Sequence, residues 1–242
     1  MSSIDCTPII FCLTGSEMSH LVEKYTIPFS DLNLTLSDLA NKSRSTLSDI
    51  QISCADLLER ADKETRILAE TRMVAFRIDT KTATAFIDGK AFYVGDKLAK
   101  KMRRASQCVI FTCTAGDNLY QIAQQSNIAQ DYLKGYYYDL FGTMIVEKSV
   151  QLLCAKMKKR HKIEHLSHSN KYGPGYCDWR VSDQKALLDF IDNDHVKISL
   201  SEHSLMSPIK TLTGIWAVGE QVKFLKDTCE YCESKTCLYR QA

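Results

Sequence analysis

The apolar positions of the chain change period several times, and each change marks an element. Between 35 and 72 they fall at helical spacing, Leu36, Leu39, Leu47 and Ile50 followed by Leu57, Leu58 and Ala61, which predicts two amphipathic helices. Residues 73 to 78 and 84 to 87 read as strands. Asp88-Gly89 leading into Lys90-Ala91-Phe92-Tyr93-Val94 predicts a hairpin, because glycine supplies the positive φ that a tight turn needs. Gly95-Asp96 then offers a stop and a helix N-cap, and the apolar run Cys108-Val109-Ile110-Phe111-Thr112-Cys113 is short enough for a buried strand.

From 129 to about 160 no proline intervenes, and Leu133, Tyr136, Leu140, Met144, Ile145 and Leu152 recur at helical intervals, so one long or gently broken helix is expected. Its basic end, Lys156-Met157-Lys158-Lys159-Arg160-His161-Lys162, reads as a solvated last turn whose cations complement the helix dipole. A loop over 167 to 180, a helix from Ser182 to about Ile191, and β-like stretches near 196 to 206 and 211 to 218 follow. Neither a low-complexity linker nor a sharp boundary interrupts the chain. One α+β domain is therefore expected, with 1–72 as its N-terminal helical part, 73–226 as its core and 227–242 as a Cys-rich tail.

Composition narrows the function classes. With 242 residues, 45% hydrophobic and 25% charged, the chain has material for a large core, and disorder or a fibrous repeat is excluded. Thirty-one Lys and Arg balance 29 Asp and Glu, too evenly for the broad basic footprint of a nucleic-acid binder. Ten cysteines are too sparse for a small oxidised scaffold, and several lie in apolar stretches where a reduced thiol acts as a small hydrophobe, so a reducing cytoplasm is expected. The first residues lack the features of a signal peptide, and no apolar run approaches the ~20 residues that span a bilayer.

Three features carry candidate chemistry. In Lys171-Tyr172-Gly173-Pro174-Gly175-Tyr176-Cys177-Asp178-Trp179, two glycines flank a proline, so backbone can approach a ligand closely, with a cation and three rings around it; such a cluster also serves as a plain turn. In the tail, Cys229, Cys232 and Cys237 have a spacing that places thiolates on one metal. A closed zinc site wants four ligands and an Fe–S cluster usually four thiolates, so Cys177 or an outside ligand would complete the set; an open coordination position, redox thiols or free terminal cysteines are the alternatives. His161, His165 and His168 are spaced so that a helix would bring them to one face, although their polar context reads as surface.

The ordered set of motifs resembles the activation domain of cobalamin-dependent methionine synthase. Gly173-Pro174-Gly175-Tyr176, with a basic residue three before the proline and Asp178-Trp179 after it, is similar to the family's Arg-x-x-x-Gly-Tyr loop. Thr112-Cys113-Thr114-Ala115-Gly116 resembles its Thr-x-Gly turn, and 139 to 147 its Asp-x-x-Gly-x-x-x-x-Glu helix. Asp183-Gln184 opens a helix in the same order, and 200 to 215 looks like its Leu-x-Glu-Ser-x-x-Met-x-Pro-x-Lys-Ser pattern. The resemblance spans about 73 to 240 and is closer still to stand-alone members of the family. It implies a mixed or antiparallel twisted sheet with packed helices and one long helix.

The resemblance also implies S-adenosylmethionine binding, in support of reductive methylation of oxidised cob(II)alamin carried by a separate corrinoid-binding protein or methionine synthase, with flavodoxin or another electron donor. Carried over by position, Gly173, Pro174, Gly175 and Tyr176 would hold adenine and ribose, Lys171 would meet the methionyl carboxylate, Glu147 would face the amino group or sulfonium, and Asp5 in Ile4-Asp5-Cys6-Thr7-Pro8 would contact the cofactor. Lys171 departs from the family's arginine, and an ammonium lacks the bidentate fork of a guanidinium. The adjacent tyrosines that close over the family's ligand have no counterpart near Ile215-Trp216. No nucleophile or general base is implied. The corrinoid-binding pattern Asp-x-His-x-x-Gly is absent, since Asn193 stands before Asp194 and His195, which places the cobalamin on another chain. A ligand or metal adaptor without transfer activity, and a scaffold without ligand, are the alternative classes.

Overall fold

The computed structural model describes residues 22–163 and 165–224, with the side chains of 160–164 left aside. Cys229, Cys232, Cys237 and Asp5 lie outside the described residues.

Three short helices, α1 (Leu36–Ser43), α2 (Leu47–Ser53) and α3 (Leu57–Glu64), occupy the stretch expected to form two. The reason is local. Thr-Leu-Ser-Asp occurs twice, at 35–38 and 46–49, and both copies form a capping box in which the threonine hydroxyl accepts the aspartate N–H and the aspartate carboxylate accepts the threonine N–H. Arg44, at φ 58°, ends α1 between them.

The sheet consists of β1 (Val22–Ile27), β2 (Ile67–Asp79), β3 (Thr84–Ile87), β4 (Lys90–Tyr93), β5 (Gln107–Thr114), β6 (Ser167–Tyr172) and β9 (Thr211–Gly219). Its order is β4-β3-β2-β5-β9-β6, with β1 on β2, and every pairing is antiparallel. The Asp88-Gly89 hairpin forms as expected, with both turn residues at positive φ. The stretch expected to be helical through residue 72 also carries β1 and the start of β2, so the proposed boundary at 72/73 falls inside one strand. Between β4 and β5 runs α4 (Gly95–Met102), completing the expected strand, helix, strand unit. A two-stranded sheet, β7 (Ser199–Leu200) with β8 (Met206–Ser207), replaces the longer strand expected there.

The sheet buries both faces. On one side, α1, α2, α3, α5 (Asn118–Ile128) and α6 (Tyr132–Ile163) pack Leu39, Ile50, Leu57, Tyr137, Phe141 and Ile145 against Phe111 and Trp216. On the other, the hairpin, α4 and α7 (Gln184–Leu188) pack Phe92, Leu98, Trp179 and Leu187 against Ile110 and Ile215. Phe111 and Trp216 stack with ring centroids 4.1 Å apart, a geometry that adds to their area burial. Burial pushes the Cys54 and Cys113 thiols up to about 12, so both are protonated and pack as apolar groups.

The expected long helix is α6, 32 residues, and the break before it has a cause: Gln130 takes φ 63° and the Asp131 carboxylate accepts the Lys134 N–H. At its basic end Lys156 lies over the Tyr25 ring and Lys158 over Phe224, at 4.6 and 3.6 Å. His161 closes α6, His165 sits at φ 57° beyond it, and His168 is buried on β6. The three histidines therefore share no helix face. Among the described residues no helix is long and apolar enough to cross a membrane.

β6 replaces half of the expected loop and carries the site. Between His168 and Lys171 it advances three residues while β9 advances two, from Val218 to Trp216. That bulge reverses the pleat and turns Lys171 to the α6 face of the sheet, where its partner Trp216 also points. Beyond it the two strands touch through glycine. A Cβ on Gly214 would meet the Tyr172 carbonyl oxygen at 2.5 Å and the Phe111 ring at 3.2 Å, and one on Gly173 would meet the Thr213 oxygen at 2.9 Å. Gly214→Ala is expected to cost about 1–3 kcal/mol by forcing the strands apart. Urea unfolding measures this; an unchanged midpoint and slope would show that the contact yields freely.

Candidate functional site

The loop after β6 is two linked turns. The Tyr176 N–H donates to the Gly173 oxygen at 3.0 Å across Pro174 and Gly175, and Gly175 sits at φ 94°. Proline fixing the second residue and a positive-φ glycine in the third are what a type II turn requires. The Trp179 N–H donates to the Tyr176 oxygen at 3.0 Å, and the Gly175 N–H donates to the Trp179 oxygen at 2.8 Å, which locks the turns together. Trp179 anchors them below: it is buried, edge-on to Phe92 at 6.0 Å.

This anchoring corrects part of the expected ring arrangement. Tyr172 and Trp179 are core residues, while Tyr176 is 47% exposed and presents its ring beside Tyr172, centroids 6.5 Å apart. The loop's exposed residues are thus Gly175, Tyr176, Cys177 and Asp178, with the Gly175 and Tyr176 amide hydrogens spent on the turns.

Opposite lies α6. The Asp-x-x-Gly-x-x-x-x-Glu stretch resolves into one unit that docks on the loop before β9. Lys210 Nζ meets Asp139 Oδ1 at 2.7 Å and donates to Thr143 Oγ1 at 3.0 Å. Gly142 provides the room for the lysine stem, since a Cβ there would meet Lys210 Cγ at 3.3 Å. The Lys210 oxygen accepts the Ala115 N–H at 2.9 Å, which ties the 112–116 turn to the same point. Three motifs far apart in sequence therefore meet. Their effect is to fix the axial position of α6, and with it Glu147.

The Glu147 carboxylate acts electrostatically on Lys171 across this frame. Burial pulls the Lys171 ammonium below the ordinary lysine value, and the Glu147 carboxylate opposes that shift. Burial and, secondarily, Glu147 raise the Tyr176 hydroxyl. Burial also lifts the Cys154 thiol, and the Tyr172 phenol goes up to about 12. Among the residues expected from sequence, the Glu147 charge thus bears on Lys171 and on Tyr176, which flank Gly173, Pro174 and Gly175; Cys154, seven residues after Glu147 on the same helix face, bears on Lys171 too. Beside Glu147, α1 and α6 flank an open surface groove of about 340 Å³, which the sequence pattern did not reveal. Cys177 is exposed at φ 50°, and among the described residues no group of three or more His, Cys, Asp or Glu is arranged to hold a metal.

No protein-family model and no curated protein matches the chain. Among solved structures, the crystal structure of the MetH reactivation domain bound to AdoHcy is similar, with a TM-score of 0.59 at 12% identity over 84% of this chain and 80% of that one. The likeness establishes the fold: an antiparallel sheet with helices packed on it, in the reactivation-domain arrangement.

The Lys171–Glu147 relation has a pH consequence. Because the folded-state value of Lys171 lies below the unfolded one, its buried charge costs stability below the lowered value, and that cost fades as pH rises to the ordinary lysine range. Glu147→Gln removes the opposing charge and is expected to move the Lys171 titration further down, read by NMR of labelled lysine amines. An unmoved titration would show that the carboxylate does not act on the amine.

Proposed function

We propose that the protein binds S-adenosylmethionine at the loop 173–176 and the Lys171–Glu147 pair, and that it serves as a stand-alone reactivation protein for a corrinoid-dependent methionine synthase or methyltransferase. The observation that supports this best is a half-exposed tyrosine ring on the 173–176 loop, with the Glu147 charge bearing on both it and the Lys171 ammonium, on a reactivation-domain fold. An amino-acid end needs both charge signs, and a nucleoside needs a ring and polar backbone.

The residues present fit that ligand. Tyr176 offers a flat apolar face. With the Gly175 and Tyr176 amides and the Gly173 and Tyr176 oxygens used by the turns, the Pro174 and Gly175 carbonyl oxygens are the ones left to accept from an exocyclic amine. Lys171 supplies positive charge for a carboxylate as a single point rather than a fork. Glu147 supplies negative potential for an ammonium or sulfonium. When bound, S-adenosylmethionine supplies an electrophilic methyl group.

The chain's contribution is positioning, which makes transfer to a docked acceptor effectively intramolecular. It also withholds competitors: burial holds the Cys154 thiol and the Tyr172 and Tyr176 phenols protonated, so none is a ready nucleophile beside the site. The cob(II)alamin acceptor and the electron, from flavodoxin or another donor, belong to partners, and the buried thiols suit a reducing cytoplasm.

Calorimetry on the anaerobic protein tests the reading. Saturable S-adenosylmethionine binding is expected, weakened about tenfold or more in Lys171→Ala and retained or tightened in Lys171→Arg. Absence of binding at millimolar ligand by the folded protein would overturn it.

A further inference from the structure

Met206 is a long apolar side chain on which two hydrogen-bond donors converge. The Gln184 amide nitrogen, on a residue buried at the start of α7, lies 3.8 Å from its sulfur, and the Thr213 hydroxyl of β9 lies 3.5 Å from it. The larger radius of sulfur makes both of these hydrogen-bond distances. Thr112, fully buried on β5, stands 3.2 Å from the same hydroxyl. With Thr112 donating to Thr213, the Thr213 proton is directed at the sulfur. A thioether is a weak acceptor, so the desolvated amide has exchanged water for a poor partner.

Solvent can reach this sulfur's surroundings. Met206 is half-buried in the two-residue ladder of β7 and β8, where Leu200 pairs with it, and its chain neighbours Leu205 and Ser207 are exposed. Met102, Met144 and Met157 are buried. Met73 on β2 is half-buried like Met206 but packs against the apolar core on the α6 side of the sheet. Met206 therefore combines access with two donors already aimed at its sulfur.

We propose that Met206 is a reversible oxidation site, converted by a hydroperoxide to a sulfoxide that Gln184 and Thr213 hold. A sulfur lone pair attacks the terminal peroxide oxygen, forming the S–O bond as the O–O bond breaks. The hydrogen of the transferred hydroxyl passes to the leaving oxygen, which departs as water or an alcohol. Sulfur loses two electrons and the peroxide gains them. A methionine sulfoxide reductase reverses the step, two thiols becoming a disulfide as the oxygen leaves as water. In an apolar core the new oxygen would be stranded without a partner; here it is a strong acceptor placed before two donors. The contact joins α7 to β9, the strand against which Gly173 packs, so the sulfur's oxidation state acts between two supports of the 173–179 loop.

Limiting hydrogen peroxide added to the full chain, with thiols first capped by N-ethylmaleimide, tests this by peptide mass spectrometry and melting curves. Met206 is expected to gain oxygen about threefold or more faster than Met73, and to lose it again on treatment with the reductase. The oxidised wild-type chain is expected to melt no lower than the reduced one. In Gln184→Leu and in Thr213→Val, each lacking one donor, oxidation is expected to lower melting by about 2–4 °C, and Thr213→Val/Met206→Leu is expected to show no such drop. Conversion of Met206 no faster than that of Met73, or a wild-type chain that melts lower once Met206 is oxidised, overturns the proposal. Neither measurement involves a ligand, so the outcome is independent of the S-adenosyl reading.

Discussion

The glycine contact between β6 and β9 sets the geometry on which the site depends. Gly173 and Gly214 let two backbones approach more closely than any side chain permits, and the same Gly214 leaves room for the Phe111 ring that stacks on Trp216. The outer strand is thereby seated on the core at the point where it turns into the Pro174–Gly175 loop. One bulge upstream, Lys171 faces α6 instead of the opposite layer. Had β6 kept a regular pleat, the cation would have been directed away from Glu147.

A second constraint holds α6. The Asp139–Lys210 pair, with Thr143, fixes the helix to the loop before β9, and the Lys210 oxygen binds the turn after β5. At 11% exposure the lysine side chain is well enough desolvated for its pairing to matter. Two rigid bodies, strand plus loop and helix plus turn, are then held in register. The Glu147 charge bears on Lys171 and Tyr176 because their supports are held together, which is the arrangement a positioning site requires.

What the sequence disclosed follows from what local pattern encodes. Asp88-Gly89 sets its hairpin through backbone conformation alone, and the apolar runs of β5 and β9 and the stripe of α6 announce burial directly. β6 hid itself: Ser-His-Ser-Asn-Lys-Tyr reads as loop, yet His168, Ser169 and Asn170 are buried. Ser169 Oγ makes this possible by accepting the Ala217 N–H and donating to the Asn170 oxygen, satisfaction that depends on a strand distant in sequence. β1 and α5 were missed because their mixed polar sequences take their stability from packing. The candidate residues themselves were legible as short motifs. Their meeting, and the α1 wall opposite Glu147, were not, because a helix pairing across more than one hundred residues leaves no local period.

The central claim is that the loop at 173–176 and the α6 face around Glu147 form one ligand site. Amide chemical shifts of the isotope-labelled protein, followed during titration with S-adenosylmethionine, test it most directly. The account predicts saturable shifts, sharing one dissociation constant, at Lys171, Gly173, Gly175 and Tyr176 and along α6 around Glu147. Shifts confined to another face of the sheet, or none at millimolar ligand, would contradict it.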